Sequence, residues 1–186
     1  MTSLKASGRD RVGDAALRLF SEHGVSGTSL QMIADDMGVT KAALYYHYRT
    51  KDDLVLGVVT PFLDRLLDAV EVARLHRGWR AQAEAALVAL VDMIVDVRRL
   101  YAIVATDPSV PPLLAAHPRL EHVSAELTAL LAGPGADDER RATVAFFLTG
   151  LTGPFGVPAG QHITDARMRG LLIDLGRRLL LTRARR

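Results

Sequence analysis

Apolar and polar residues recur along most of the chain with the spacing of amphipathic helices, and no alternation of period two appears anywhere, so the sequence predicts an all-α protein. A first helix is expected from about Arg9 to His23, with Val12, Ala15, Ala16, Leu19 and Phe20 on its inner face and Gly24 as its end. Ser29, whose hydroxyl can accept an orphan backbone N–H, starts a second helix with Leu30, Ile33, Ala34 and Met37 turned inward. Gly38 closes it, because a left-handed residue is needed there and glycine adopts that conformation cheaply. Thr40 caps a third helix, with Ala43 and Leu44 directed at the core. Thr50-Lys51-Asp52-Asp53 reads as a capping box for a fourth helix that passes through Leu54, Val58, Phe62, Leu66 and Val70 toward Leu75. Pro61 lies inside that helix and is expected to bend it, since proline removes a backbone donor.

His76-Arg77-Gly78 is a break, followed by a very apolar helix from Trp79 to Arg98 or Arg99. Its polar residues Glu84, Asp92, Asp96 and Arg99 fall near one face, which is expected to be solvated. A short helix from Arg99 to Thr106, a turn over Asp107–Pro112, helical pieces over Pro112–His117 and Pro118–Leu131, and a loop at Gly133-Pro134-Gly135-Ala136 come next. Two longer helices end the chain. One runs from Asp137 to about Thr152 with Ala142, Ala145, Phe146, Thr149 and Gly150 along a stripe; the other runs from Thr164 to about Leu181. The organisation predicted is a three-helix head, residues 1–51, and a larger helical body, residues 52–186.

The chemistry of the head is concentrated at one place. Tyr45, Tyr46 and Tyr48 are three of the four tyrosines in the chain, and they sit beside Lys41, His47, Arg49 and Lys51. Three helical residues within four positions cannot all face inward, so one ring is assigned to the core and the others to the surface. Two helices joined by a short turn containing glycine form a helix-turn-helix, the unit that places its second helix in the DNA major groove. Tyrosine hydroxyls, ammonium groups and helix N-termini are suited to phosphates. Tyr46, Lys41 and Lys51 are therefore expected on phosphates, and Gln31, Ala42, Ala43 and Tyr45 nearest the base edges, with Thr28, Ser29, Thr40 and His47 completing the candidate interface.

The run Leu19-Phe20-Ser21-Glu22-His23-Gly24, then Gly27-Thr28-Ser29, Ile33-Ala34, Gly38-Val39-Thr40-Lys41 and Leu44-Tyr45-Tyr46-His47-Tyr48-Arg49-Thr50-Lys51-Asp52-Asp53-Leu54, resembles the DNA-binding domain of the TetR family of bacterial transcriptional regulators. The spacing holds without gaps over under a third of the chain; Tyr48 departs from the phenylalanine more usual there. The resemblance implies an effector site in the body and a four-helix interface between protomers made by the last two helices.

Composition and charge narrow the picture. With 186 residues, 49% hydrophobic and 24% charged, the chain has the makeup of an ordinary globular protein of one or two domains. The absence of cysteine excludes disulfides and Cys-ligated metal and fits a cytoplasmic location. The first eight residues contain no apolar run of the kind a signal peptide needs, and no uninterrupted apolar stretch reaches membrane-spanning length, so no membrane partner is expected. The net charge is only +2, but residues 1–51 hold seven of the 23 basic and five of the 21 acidic residues, which leaves 16 of each beyond them. The whole positive excess lies in the head.

In the body the sequence shows no Walker loop, dinucleotide fingerprint, His-Glu-x-x-His or nucleophile elbow, so no catalytic residue, cofactor or metal is expected. A pocket between helices is the functional expectation, with Phe62, Leu66, Leu90, Met93, Ile94, Val97, Tyr101, Phe147 and Leu151 as candidate lining and Tyr101, Trp79 or Thr149 as polar points. Few charges project toward that core, which favours a mostly apolar small-molecule effector. Met168, Leu171, Leu172, Leu175 and Leu179, at heptad-like spacing, form with Phe146 the candidate homodimer face. A two-fold dimer presents two recognition helices and predicts a near-palindromic double-stranded DNA operator. The function predicted is a ligand-responsive repressor, not an enzyme. The alternative, a helical enzyme or small-molecule carrier whose head is only a folding unit, has no use for the tyrosine–lysine cluster.

Overall fold

The structure, a computed structural model, describes residues 3–104, 107–151, 153 and 162–181; of residues 3–10, 99–101, 103 and 104 it describes the backbone alone. Among the described residues there are nine α-helices and no strand: α1 (Ser3–Gly27), α2 (Leu30–Met37), α3 (Lys41–His47), α4 (Lys51–Arg74), α5 (Trp79–Val104), α6 (Val110–Ala115), α7 (Pro118–Ala132), α8 (Asp138–Gly150) and α9 (Asp165–Gly176), which continues as a π-turn over Arg177–Leu181. No described helix is long and apolar enough to cross a membrane.

Helix ends follow local chemistry. Gly24, at φ 74° and ψ 165°, interrupts α1 where the sequence places its end. Ser29, Thr40, Asp137 and Thr164 each accept a backbone N–H from their side chains at the starts of α2, α3, α8 and α9. The separate helix expected over Arg99–Thr106 is instead the end of α5, which continues to Val104 because no glycine or proline intervenes to stop it; Thr106 lies outside the described residues. Helix α6 begins at Val110, ahead of the position expected, since prolines are tolerated in a first turn where N–H groups lack partners anyway. Helix α8 ends at Gly150, and Thr152 lies outside the described residues. Helix α4 runs through Pro61, and the preceding Thr60 hydroxyl donates to Leu56 O at 2.7 Å.

The chain forms two compact units. The first comprises Met1–Pro61 and Ala102–Ala116. Its core joins Val12, Ala15, Ala16, Leu19 and Phe20 of α1 to Leu30, Ile33 and Ala34 of α2, Leu44 of α3 and Leu54, Val55 and Val58 of α4. Ala16 and Ala34 are fully buried, the small residues where helices approach closely.

The second unit comprises Phe62–Tyr101 and His117–Arg186. Its core centres on Leu87, Leu90, Val91 and Ile94 of α5, with Leu127 and Leu131 of α7, Val144 and Phe147 of α8, and Met168 and Leu172 of α9. The acids of α5 lie on a solvated face, Asp96 exposed and Glu84 and Asp92 half-exposed, but they also meet cations there. Arg169 of α9 reaches Asp92 at 2.7 Å and Asp96 at 3.6 Å, Arg177 reaches Glu84 at 2.5 Å, and Arg98 reaches Asp165 at 2.6 Å. These pairs line the seam where α9 lies on α5; side-chain patterning on one helix cannot reveal opposite charges waiting on another. Trp79 donates its indole N–H to Leu130 O at 2.9 Å, and Arg140, 5.2 Å above the Trp79 ring, donates to the terminal carbonyls of Leu131 and Ala132.

Candidate nucleic-acid interface

The helix-turn-helix is fixed by short-range chemistry. Ser29 Oγ accepts Met32 N at 3.2 Å at the start of α2. Gly38 takes φ 64° and ψ 30°, the left-handed geometry in which its N–H returns to Asp35 O at 3.1 Å and that of Val39 to Ala34 O at 3.0 Å. Thr40 Oγ1 then accepts Ala43 N at 3.2 Å. The turn between the two helices is thus determined by three residues, Gly38, Val39 and Thr40.

Helix α3 buries Leu44 alone and exposes Lys41, Ala42, Ala43, Tyr45, Tyr46 and His47. Ala43 therefore faces outward, contrary to its expected place in the core; on a seven-residue helix, one large apolar side chain suffices to anchor it. Tyr46 is 81% exposed and Tyr45 40%, whereas Tyr48 is 7% exposed and is the inward ring. Lys41 Nζ lies 5.3 Å over the Tyr45 ring, and the Tyr46 and His47 rings meet edge to face at 5.1 Å. On α2, exposed Gln31 donates to Asp35 Oδ1 at 2.7 Å, which leaves its amide oxygen as an outward acceptor.

Two residues of the candidate set are placed differently. Thr28 is buried, its hydroxyl 2.8 Å from Gly24 O and 3.1 Å from Leu19 O, so it shapes the turn ahead of α2 and presents nothing outward. Lys51 is half-buried, and its ammonium donates to Val25 O at 2.9 Å and Ser26 O at 3.1 Å. The Thr50 capping box closes as the sequence implies: Thr50 Oγ1 accepts Asp53 N at 3.0 Å, while the Asp53 carboxylate accepts Arg49 N and Thr50 N at 3.1 and 3.0 Å. A feature the sequence reading missed is Asp107, buried and hydrogen-bonded to Ser26 and Ser109; its only sequence signal is an Asp-Pro-Ser turn.

Of the candidate ligand residues, Leu66, Leu90, Ile94, Phe147 and Leu151 are buried, Phe62, Met93 and Val97 half-buried, and the Tyr101 side chain lies outside the described residues. Phe147 and Leu151 line a cavity of about 300 Å³ on α8 and α9 with Thr143, Phe146, Gly150, Leu172, Leu175 and Leu179. The candidate dimer residues divide. Met168 and Leu172 are core, at 2% and 5% exposure. Leu171, Leu175 and Leu179 are 41%, 47% and 44% exposed, and Phe146 is 80% exposed. Ala142, Ala145, Thr149 and Gly150, expected to form a stripe, are exposed along with Phe146.

Residues 13–58 match the family model described as "Bacterial regulatory proteins, tetR family". The chain is 54% identical over 46 residues to the HTH-type transcriptional regulator AcrR of Shigella flexneri, a match covering 25% of this chain and 21% of that protein. It is 36% identical over 64 residues to the HTH-type transcriptional repressor KstR2 of Mycolicibacterium smegmatis, covering 34% of this chain and 31% of that one. The chain thus spans about a third or less of the length of these curated relatives. Among solved structures, a putative TetR-family transcriptional regulator from Syntrophomonas wolfei superposes with a TM-score of 0.74 over 96% of this chain and 97% of its own, at 14% identity. That likeness establishes the fold.

Proposed function

We propose that this chain, whose N-terminal domain belongs to the tetR family of bacterial regulatory proteins, is a ligand-responsive transcriptional repressor that binds a near-palindromic operator as a homodimer and is released by a small, mostly apolar effector. Residues 1–51 carry the DNA contacts and residues 52–186 the effector and dimer functions. The observation that carries the reading is α3: one buried leucine holds it, and every other side chain, two tyrosines and a lysine among them, faces outward. An enzyme or carrier gains nothing from such a helix. Lys41 and Tyr46 take phosphates; Gln31, Tyr45 and the methyl groups of Ala42 and Ala43 take base edges, the alanines favouring thymine. Relatives of the head include a protein named as a repressor, which supports repression over activation.

The dimer reading rests on Phe146, Leu171, Leu175 and Leu179, an apolar set on neighbouring helices that a second copy would cover. The effector reading rests on the apolar interior built around Leu66, Leu90, Ile94, Phe147 and Leu151. Selection of binding duplexes from a random pool tests the proposal. Enrichment of inverted half-sites about one helical turn apart is the expected result. Failure to enrich any sequence would remove the DNA-binding assignment and favour the enzyme or carrier.

A further inference from the structure

The turn Val25-Ser26-Gly27, between the Gly24 break and the Ser29 cap, is held from three sides. Thr28 ties it to α1 through Leu19 O and Gly24 O. Lys51, the first residue of α4, donates to Val25 O and Ser26 O. The third hold comes from 81 residues further along the chain, where the Asp107 carboxylate accepts the Ser26 hydroxyl. Its other oxygen accepts Ser109 N at 3.0 Å and Ser109 Oγ at 2.6 Å. Asp107 is 7% exposed and the neighbouring Val110 1% exposed. Both belong to the compact unit that joins residues 102–116 to residues 1–61.

A carboxylate is a costly group to bury unless donors converge on it. Here the Ser109 hydroxyl, then Ser26, then the Ser109 amide outweigh burial and hold the Asp107 carboxyl well below the usual carboxylate range. The two Ser109 bonds are local and shape the turn that starts α6. Ser26, through its hydroxyl and more weakly its backbone amide, carries the hold of the carboxylate on the turn ahead of α2.

We propose that the Asp107–Ser26 hydrogen bond is a second joint, beside α4, through which the 107–116 segment sets the position of α2, and that DNA binding requires this joint to be closed. The inference rests on the DNA-binding reading. Ser26 lies three residues before the Ser29 cap, so displacement of the turn pivots α2, and Leu30, Ile33 and Leu44 in the shared core carry that movement to α3. A hydrogen bond weakens steeply over less than about an ångström, so the joint behaves as made or broken. Lys51 grips the same turn from the start of α4, so one turn is held both by α4 and by the 107–109 segment of the same compact unit.

The test uses the full chain and a duplex that the unaltered protein selects from a random pool. Ser26→Ala and Asp107→Ala should each weaken binding about tenfold, a typical loss for a hydrogen bond to a charged group. The double variant should bind no worse than Asp107→Ala alone. Amide exchange over residues 25–29 should quicken in Ser26→Ala while α5 and α7 keep their protection, a change that general destabilisation would not confine to the turn. Parental affinity in folded Ser26→Ala, or additive losses in the double variant, would overturn the joint. If the parent selects no duplex, the DNA-binding reading fails separately, and unchanged exchange over 25–29 in Ser26→Ala would still overturn the joint.

Discussion

Lys41 and Lys51 look alike in the sequence, two cations at the starts of consecutive helices, yet the structure gives them different surroundings. Lys41 is exposed, its ammonium over the Tyr45 ring, which is why it is the residue proposed to meet a phosphate. Lys51 is half-buried and already bonded to two carbonyls of the turn before α2. Lys41→Ala is therefore expected to weaken binding to all duplexes alike and to lower the slope of log K against log salt by about one, as one released counterion requires. Titrations over a range of salt check this, and an unchanged slope would remove Lys41 from the phosphate contacts. The tyrosine cluster was legible as one inward ring and two outward, but not which: Tyr48 turns in because Gly57 leaves room, its missing Cβ falling 2.4 Å from the Tyr48 ring. That vacancy lies nine residues away on the next helix, where no local pattern points to it.

At the scale of elements, capping residues and glycines located the helix ends well, because those signals are local. Ser29, Gly38, Thr40 and Thr164 act where the sequence places them. Which partner covers a face was not legible, because that is a property of two elements at once. The acids of α5 meet arginines of α9, and the apolar positions of α9 serve two faces. Met168 and Leu172, four residues apart, turn into the subunit, whereas Leu171, Leu175 and Leu179, also four apart but on a neighbouring stripe, turn out. This division sharpens the dimer test. Leu175→Glu should give a folded monomer, since a charge there is solvated in the single chain and opposed only by a second copy. Leu172→Glu should unfold the second unit, because an unpaired buried carboxylate costs about 3–5 kcal/mol. Sedimentation and circular dichroism separate the two outcomes; a folded Leu175→Glu dimer would mean that the outward leucines do not form the interface.

For the whole molecule, the reading as a dimeric repressor carries a geometric demand stronger than any single contact. A head anchored by one buried leucine on a seven-residue α3 offers few base contacts, so tight, selective binding has to come from joining two heads. Linking two weak sites raises affinity by about 10²- to 10⁴-fold, and only if both can be reached together. Inserting about five base pairs, half a helical turn, between the half-sites rotates one to the opposite face of the duplex. The parent protein should then lose most of that gain, at least about a hundredfold, and fall to its affinity for an isolated half-site. Leu175→Glu should bind the original and the expanded duplex equally, because a monomer does not sense spacing. The comparison separates a fault in the head from a fault in the coupling between heads: loss of the Ser26–Asp107 bond weakens each half-site, whereas loss of the outward leucines abolishes the dependence on spacing. Equal affinity of the parent for both duplexes would mean that each head acts alone, and the operator would then have no reason to be a near-palindrome.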